Sequence, residues 1–174
     1  NIGNKLLFFG GGNKLNYFKS YGENIDFKEI PPSFFLIGLI NEFNNRFQTA
    51  GDEFFSEISW KQCFTLNCIV FFKEPPTIKE LSEFIGSSRQ NTKQLLKRLE
   101  KVDFINMQAD AKDKRKQRVT LTKKAKDFLK KYDKDSFSFM EFLFSEISEE
   151  DIETAIEIIT KLDNKLKTAR RLKK

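Results

Sequence analysis

The stretch that decides the fold is GSSRQNTKQLLKRLEKVDFINMQADAKDKRKQR, residues 86–118. It holds ten Lys and Arg residues against four acidic ones, an excess that equals the formal net charge of +6 for the whole chain. Basic and acidic residues are therefore equal in number in the rest of the chain. A neutral body with its excess charge in one short segment indicates a surface that binds a polyanion.

The first part of this stretch predicts a helix. Gly86 breaks the preceding segment, and Ser87 or Ser88 is suited to cap the new helix. Four apolar residues at helical spacing predict its inner stripe: Leu95, Leu96, Leu99 and Val102. The opposite face is polar and basic.

The second part predicts a hairpin. Residues 104–109 (FINMQA) and 117–121 (QRVTL) alternate apolar and polar side chains, as strands do. A polar tip, residues 110–116, lies between them. The stretch is therefore a basic helix followed by a charged hairpin.

Three helices are predicted before it. Ser33 is suited to cap the first, which ends at residues 50–52. The second runs from Trp60 to about residue 72 and is apolar nearly all round, so we expect it to be central and buried. The third begins at Thr77, has Glu80 at the capping-box position, and has four apolar residues that we expect to face inward: Ile78, Leu81, Phe84 and Ile85.

Two long helices are predicted after the hairpin, over residues 122–144 and 148–171. In the last, apolar residues recur every three or four positions with charges elsewhere, and Ser148 begins a capping box. Such an apolar seam would be exposed on a monomer, which favours dimerisation over packing within one chain.

Composition excludes several classes of function. The chain has no His, which removes serine triads, His-based acid–base catalysis and most metal sites. Cys63 and Cys68 lack a second pair, so they are a poor zinc site, and a reducing cytoplasm is the expected location. No apolar run is long enough to span a bilayer. We expect a cytoplasmic protein that is not an enzyme, with no metal or cofactor.

Four segments, in this order and spacing, resemble the MarR family (multiple antibiotic resistance regulators). They are Ile58–Gln62 (ISWKQ), Thr77–Gly86 (TIKELSEFIG), Ser88–Ile105 and Asp110–Thr122. Within the last, Asp113-Lys114-Arg115 is similar to the family's Asp-x-Arg, and Thr120-Leu121-Thr122 to its strand exit. The chain departs from the family at Asp103 and Ala125, where Gly is usual or common.

The resemblance implies a mainly α fold, a winged helix-turn-helix with long N- and C-terminal helices. It places an N-terminal extension at residues 1–32 and a MarR-like domain at 33–174. Within that domain the winged helix-turn-helix covers about 58–122, and dimerisation helices cover about 33–50 and 122–172. It further implies a homodimeric regulator of transcription, most often a repressor, that binds a pseudo-palindromic operator in double-stranded DNA.

The second helix of a helix-turn-helix lies in the major groove, and its first residues reach base edges. Here the expected base-reading residues are Ser88, Arg89, Gln90, Asn91, Lys93 and Gln94. Arg suits guanine, and Asn and Gln suit adenine, because each offers paired hydrogen bonds. The expected phosphate contacts are Ser87, Lys97 and Arg98. The alternative is an ordinary solvated helix face.

The expected wing residues are Lys112, Asp113, Lys114, Arg115, Lys116 and Arg118. So many cations in one loop repel one another unless a polyanion lies nearby. The resemblance implies that Asp113 braces Arg115 and that the wing enters the minor groove or follows its phosphates. The alternative is an exposed hairpin tip.

The family often binds small, frequently aromatic ligands. The residues that could line a pocket for a small aromatic or apolar effector are Phe43, Phe47, Phe54, Phe55, Trp60 and Phe64. Aromatic residues at helical spacing are more often core, so both readings stay open. The alternative to a sequence-specific regulator is a winged-helix module that binds proteins, or binds DNA without sequence preference.

Overall fold

The computed structural model describes residues 30–172, so most of the predicted extension lies outside the described residues. Its elements are α1 (Pro32–Phe54), α2 (Trp60–Val70), α3 (Ile78–Phe84), α4 (Arg89–Lys101), β1 (Ile105–Ala109), β2 (Gln117–Leu121), α5 (Lys123–Phe144) and α6 (Glu149–Leu172). The predicted mainly helical, winged fold is confirmed. The chain divides into two compact units after Trp60.

In the first unit, α1 is longer than predicted at both ends. It begins at Pro32 with no side-chain cap, so the prediction that Ser33 caps it is wrong. Proline at the first helical position has its φ already set for a helix. The predicted stop at residues 50–52 is also wrong, because Gly51 lies within the helix. A Cβ on Gly51 would lie 2.7 Å from Cβ of Trp60, so this glycine makes room for the indole.

The second unit has a core to which every element from α2 to α5 contributes. Its fully buried large side chains include Leu66, Leu81, Leu96, Leu99, Phe104 and Val119. The predicted inner stripe of α4 is confirmed at its centre, whereas Val102 is 40% exposed.

Two predictions about burial are wrong. Helix α2 buries only one face, since Phe64 and Val70 are exposed, and Phe71 just beyond it is 74% exposed. Phe84 of α3, expected to face inward, is 56% exposed and packs on Phe72 with a ring separation of 5.2 Å. The core is small, so it covers one face of each short helix and leaves the other apolar side chains at the surface.

The wing is an antiparallel pair in which Ile105 faces Leu121 and Ala109 faces Gln117. Strand β2 has the predicted bounds, and β1 starts one residue later than predicted. The loop before α3 pairs with the outer edge of β2, because the Val119 N–H donates to the Pro76 carbonyl over 2.9 Å. The hairpin is thereby attached to the start of α3.

A short joint connects the end of α4 to the start of α5. Asp103 adopts a left-handed conformation with φ of 61°, which Asp tolerates better than most residues. The Thr122 hydroxyl donates to the Asp103 carbonyl over 2.7 Å and accepts from the Ala125 N–H, capping α5. Lys124 Nζ donates to the Val102 carbonyl over 3.1 Å. Two side-chain bonds, from Thr122 and Lys124, thus attach the start of α5 to the two residues that follow α4.

Helix α6 begins as predicted, with the Ser148 hydroxyl accepting from the Asp151 N–H. It contains no buried residue among those whose side chains are described. Its exposed apolar stripe consists of Ile156, Ile159, Leu162 and Leu166. In residues 30–172, no helix is both long enough and apolar enough to cross a membrane.

Candidate nucleic-acid interface

The first turn of α4 is fixed by one serine. Ser88, not Ser87, is the N-cap, and its hydroxyl accepts from the Asn91 N–H over 3.1 Å. The buried Thr92 hydroxyl donates to the Ser88 carbonyl over 3.0 Å. The first bond gives a partner to one of the backbone N–H groups that the start of a helix leaves unpaired. The side chains on either side of Thr92 remain at the surface.

The outer face of α4 carries the residues that the sequence predicted for base and phosphate contacts. Arg89, Gln90, Asn91, Lys93, Gln94, Lys97 and Arg98 are all exposed. The opposite face is buried through Thr92, Leu96 and Leu99. The helix therefore presents a continuous strip of hydrogen-bond donors and acceptors to solvent.

Helix α3 packs against α4. Its capping box is formed as predicted: the Thr77 N–H donates to Glu80 Oε2 over 2.7 Å, and the Glu80 N–H donates to Thr77 Oγ1 over 3.2 Å. The backbone bond from Thr77 is the largest cause that lowers the pKa of Glu80. Gly86, with φ of 68°, makes the turn into α4.

The wing tip (residues 112–116) holds one acid among its cations. Arg115 Nε donates to Asp113 Oδ1 over 3.0 Å, and Lys116 Nζ lies 3.4 Å from Asp113 Oδ2. The side-chain bond from Arg115 is the main cause that lowers the pKa of Asp113. Arg115 stays 91% exposed, so Asp113 orients the guanidinium without covering it. Within residues 30–172, Lys114 has no ion pair.

The wing root (Asp110, Arg118 and the Pro75 carbonyl) is a second charged cluster. Arg118 Nε donates to Asp110 Oδ2, and Arg118 Nη1 donates to the Pro75 carbonyl over 2.6 Å. Asp110 Oδ1 accepts from the N–H groups of Lys112 and Asp113 over 2.9 and 2.8 Å. These bonds, the one from Arg118 first, lower the pKa of Asp110 to about 2.

Sequence reasoning missed Asp110 as a site residue and placed Arg118 with the exposed wing cations. A signal for Asp110 was present, since Asp at the end of a strand before a turn commonly accepts from backbone N–H groups further on. The bond from Arg118 to Pro75 joins residues 43 positions apart. No local pattern predicts such a contact.

A groove of about 470 Å³ lies between α3, the start of α4 and the wing. Its lining includes six cationic side chains: Lys79, Arg89, Lys93, Arg115, Lys116 and Arg118. Only two acidic residues line it, Glu80 and Glu83. The predicted base-reading helix and wing thus share one positively charged concavity, the electrostatic requirement for holding a nucleic-acid backbone.

Residues 58–116 match the family model described as MarR family. The winged helix-turn-helix of this chain is therefore similar to the DNA-binding domain of MarR-family proteins. No curated protein sequence matches the chain.

Solved structures of MarR-family proteins share the fold of most of the chain. A MarR protein from Peptoclostridium difficile is 16% identical with a TM-score of 0.73, covering 85% of this chain and 96% of its own. The MepR–DNA complex from S. aureus is 21% identical with a TM-score of 0.67, covering 74% and 95%. BpsR of Bordetella bronchiseptica, whose DNA binding is regulated by 6-hydroxynicotinic acid, is 14% identical with a TM-score of 0.65, covering 80% and 96%. At such identities the likeness establishes the fold.

The aromatic residues predicted for an effector pocket fall into two groups. In the first unit, Phe47 lies edge-on to Trp60 at a ring separation of 4.7 Å, and Phe43 stacks on Phe47 at 5.6 Å. Phe55 stacks on Trp60 at 6.3 Å and contacts Phe54 at 5.0 Å. These five side chains form one continuous aromatic cluster. The sixth predicted residue, Phe64, belongs to the second unit and is exposed.

The two cysteines are free and buried. Burial raises the pKa of Cys63 to about 11 and also raises the pKa of Cys68. Because the thiolate is the reactive form, this environment keeps both thiols inert.

Proposed function

We propose that the protein is a homodimeric, non-enzymatic transcriptional regulator that binds a pseudo-palindromic operator and acts as a repressor. The observation that carries the proposal is the shared groove, which α3, the exposed start of α4 and the wing line with six cations and only two acids. A basic concavity on a chain whose remaining charges balance supports double-stranded DNA as the partner.

Helix α4 and the wing have different roles in this proposal. Arg89, Gln90 and Asn91 lie on the first turn of α4, where they read base edges in the major groove. Lys97 and Arg98, further along the helix, contact phosphates, and the wing tip enters the minor groove or follows its phosphates. Similarity to a structure solved as a DNA complex supports this docking.

Dimerisation would cover the apolar surface of the terminal helices. The stripe of α6, including Ile159 and Leu166, is exposed in the single chain, and so are Phe34 and Ile37 of α1. Exposed apolar surface of this extent normally marks an interface. A two-fold pairing buries the same surface of both subunits and places two α4 helices about one DNA turn apart.

The response to a ligand is the part of the proposal that depends on the aromatic cluster. A small aromatic or apolar effector would stack among Phe43, Phe47 and Trp60, whose rings are partly exposed. A similar protein whose DNA binding is regulated by 6-hydroxynicotinic acid supports this class of ligand. The alternative is that the cluster is core and the regulator has no effector.

Selection from a random DNA pool by the purified protein tests the function directly. We expect enrichment of an inverted repeat with half-sites about one helical turn apart. Enrichment of no sequence, with binding equal to that of random duplex at moderate salt, would instead support a non-specific architectural module.

Two variants then separate base reading from phosphate contact. Arg89→Ala should reduce the preference for the selected operator over random duplex, because a bidentate base contact contributes about 1–3 kcal/mol of discrimination. Lys114→Ala should weaken binding to all sequences about equally and lower the salt slope by about 1.8 for a dimer, which loses one phosphate contact in each subunit. Equal effects of both variants on every sequence would contradict the assignment of α4 as the base-reading helix.

A further inference from the structure

We propose that Arg118 is a positioning residue that holds the wing against the loop before α3, with Asp110 as its essential partner. The proposal rests on the proposed function and deepens it. DNA affinity depends on this pair although its bonds are made inside the protein. Losing the pair should therefore remove the phosphate contacts of the wing as a group.

The wing root differs from the wing tip in exposure. The Arg118 side chain is 38% exposed and its Asp110 partner 7% exposed, whereas Arg115 at the tip is 91% exposed. Asp113 at the tip orients a cation that remains available to DNA. The Arg118 guanidinium instead directs Nε and Nη1 to two acceptors within the protein, the Asp110 carboxylate and the Pro75 carbonyl.

Asp110 connects the root to the tip. Its Oδ2 accepts from Arg118, while Oδ1 accepts from two backbone N–H groups of the tip loop, those of Lys112 and Asp113. The Asp110 N–H also donates to the Lys116 carbonyl over 2.9 Å. One carboxylate therefore shapes the tip loop and fastens it to Arg118.

Arg118 completes the connection from the wing to α3. The backbone already joins the two at the Val119 N–H and the Pro76 carbonyl, 2.9 Å apart. The Arg118 bond to Pro75 adds a second attachment one residue earlier in the loop. With one hydrogen bond the hairpin could pivot about that point, whereas two hydrogen bonds, to Pro75 and to Pro76, prevent the pivoting. The groove between the wing and α4 therefore keeps its width.

The sign of one substitution separates positioning from direct phosphate contact. If Arg118 mainly bound phosphate, Asp110 would reduce its attraction for DNA, and Asp110→Asn would strengthen binding. If Arg118 positions the wing, the same change weakens binding even though it makes the groove more positive. Asn keeps an oxygen for the two backbone N–H groups and removes the charged acceptor of Arg118.

The experiment measures the operator affinity of the purified protein and the salt dependence of that affinity. We expect Asp110→Asn to weaken binding about 2- to 30-fold, the range for residues that act through others. Its salt slope should also fall, because wing phosphate contacts are lost. Arg118→Lys should also weaken binding and lower the salt slope, since one ammonium group cannot donate to both acceptors in the geometry that the planar guanidinium allows. The matched control Glu83→Gln removes an exposed acid from the same groove and should bind DNA more tightly.

Active protein is counted by stoichiometric titration, and circular dichroism melts confirm that each variant is folded. Weaker binding with a smaller salt slope in Asp110→Asn supports the proposal. Binding that is equal or tighter, as in Glu83→Gln, overturns it, and so does weaker binding with an unchanged slope. Failure of the wild-type protein to bind any duplex would instead refute the proposed function.

Discussion

Gly51→Ala is expected to destabilise the protein, although alanine is the better helix former. In a helix interior, replacing Gly by Ala contributes about 1 kcal/mol of stability. Here the new Cβ would lie 2.7, 2.8 and 2.9 Å from Cβ, Cγ and Cδ2 of Trp60. These atoms are the root of the indole and not a flexible end, so the whole residue has to move.

The loss of stability in Gly51→Ala has two parts. Overpacking of this kind typically costs about 1–3 kcal/mol. Displacement of Trp60 also threatens the bond from its N–H to Asp52 Oδ1, 2.6 Å long, which satisfies the first donor of α2. Loss of a capping bond costs about 1 kcal/mol. After the gain in helix propensity is subtracted, we expect the free energy of unfolding to fall by about 1–3 kcal/mol, which lowers the Tm of a chain of this size by roughly 2–12 °C.

Gly38→Ala is the matched control in the same helix. A Cβ on Gly38 meets no atom within 4 Å, so this variant should gain stability, by about 1 kcal/mol. Both variants are unfolded in urea at one fixed protein concentration, because dimerisation would make the midpoint depend on concentration. If Gly51→Ala is stabilised as much as Gly38→Ala, the close packing of Trp60 on α1 is refuted.

Three further predictions concern the second unit. Thr77→Ala should cost about 1 kcal/mol in urea unfolding by removing the cap bond to the Glu80 N–H, whereas Thr77→Ser should not. The pKa of Asp110 falls from 3.8 to about 2 on folding, so the contribution of its carboxylate to stability is largely present above pH 3.8 and is lost as the pH falls through about 2. The stability difference between wild type and Asp110→Asn should therefore shrink as the pH falls from about 5 to about 2, and a difference that stays constant over that range would contradict the prediction. Native Cys63 and Cys68 should react with iodoacetamide far more slowly than in guanidinium, as mass spectrometry can measure, and equal rates would show that the thiols are accessible.

The sequence predicted the features of the fold that depend on local pattern. Strand β2 has the predicted bounds because alternating side chains and a polar tip determine a hairpin locally. The start of α3 followed from Thr77 and Glu80, since a capping box is made within four residues. The exposed face of α4 followed from helical periodicity.

Features that depend on distant neighbours could not be predicted in this way. An apolar pattern tells which residues prefer burial but not how much surface the rest of the protein covers, so Phe84 was expected inside and lies outside. Gly51 was expected to end α1 because glycine usually does, yet the position of Trp60 nine residues later explains it. At the site, the sequence predicted the cations, and only the structure divided them into those that face solvent and the one at the wing root.

The joint between α4 and α5 links the long helix to the helix that we propose reads DNA. Thr122 and Lys124 attach its first turn to the carbonyls of Asp103 and Val102, across the base of the wing hairpin that separates the two helices in sequence. We therefore expect a tilt of α5 to move the end of α4 through these two bonds. In a dimer of the kind proposed above, the distance between the two α4 helices would then follow the angle between the two α5 helices.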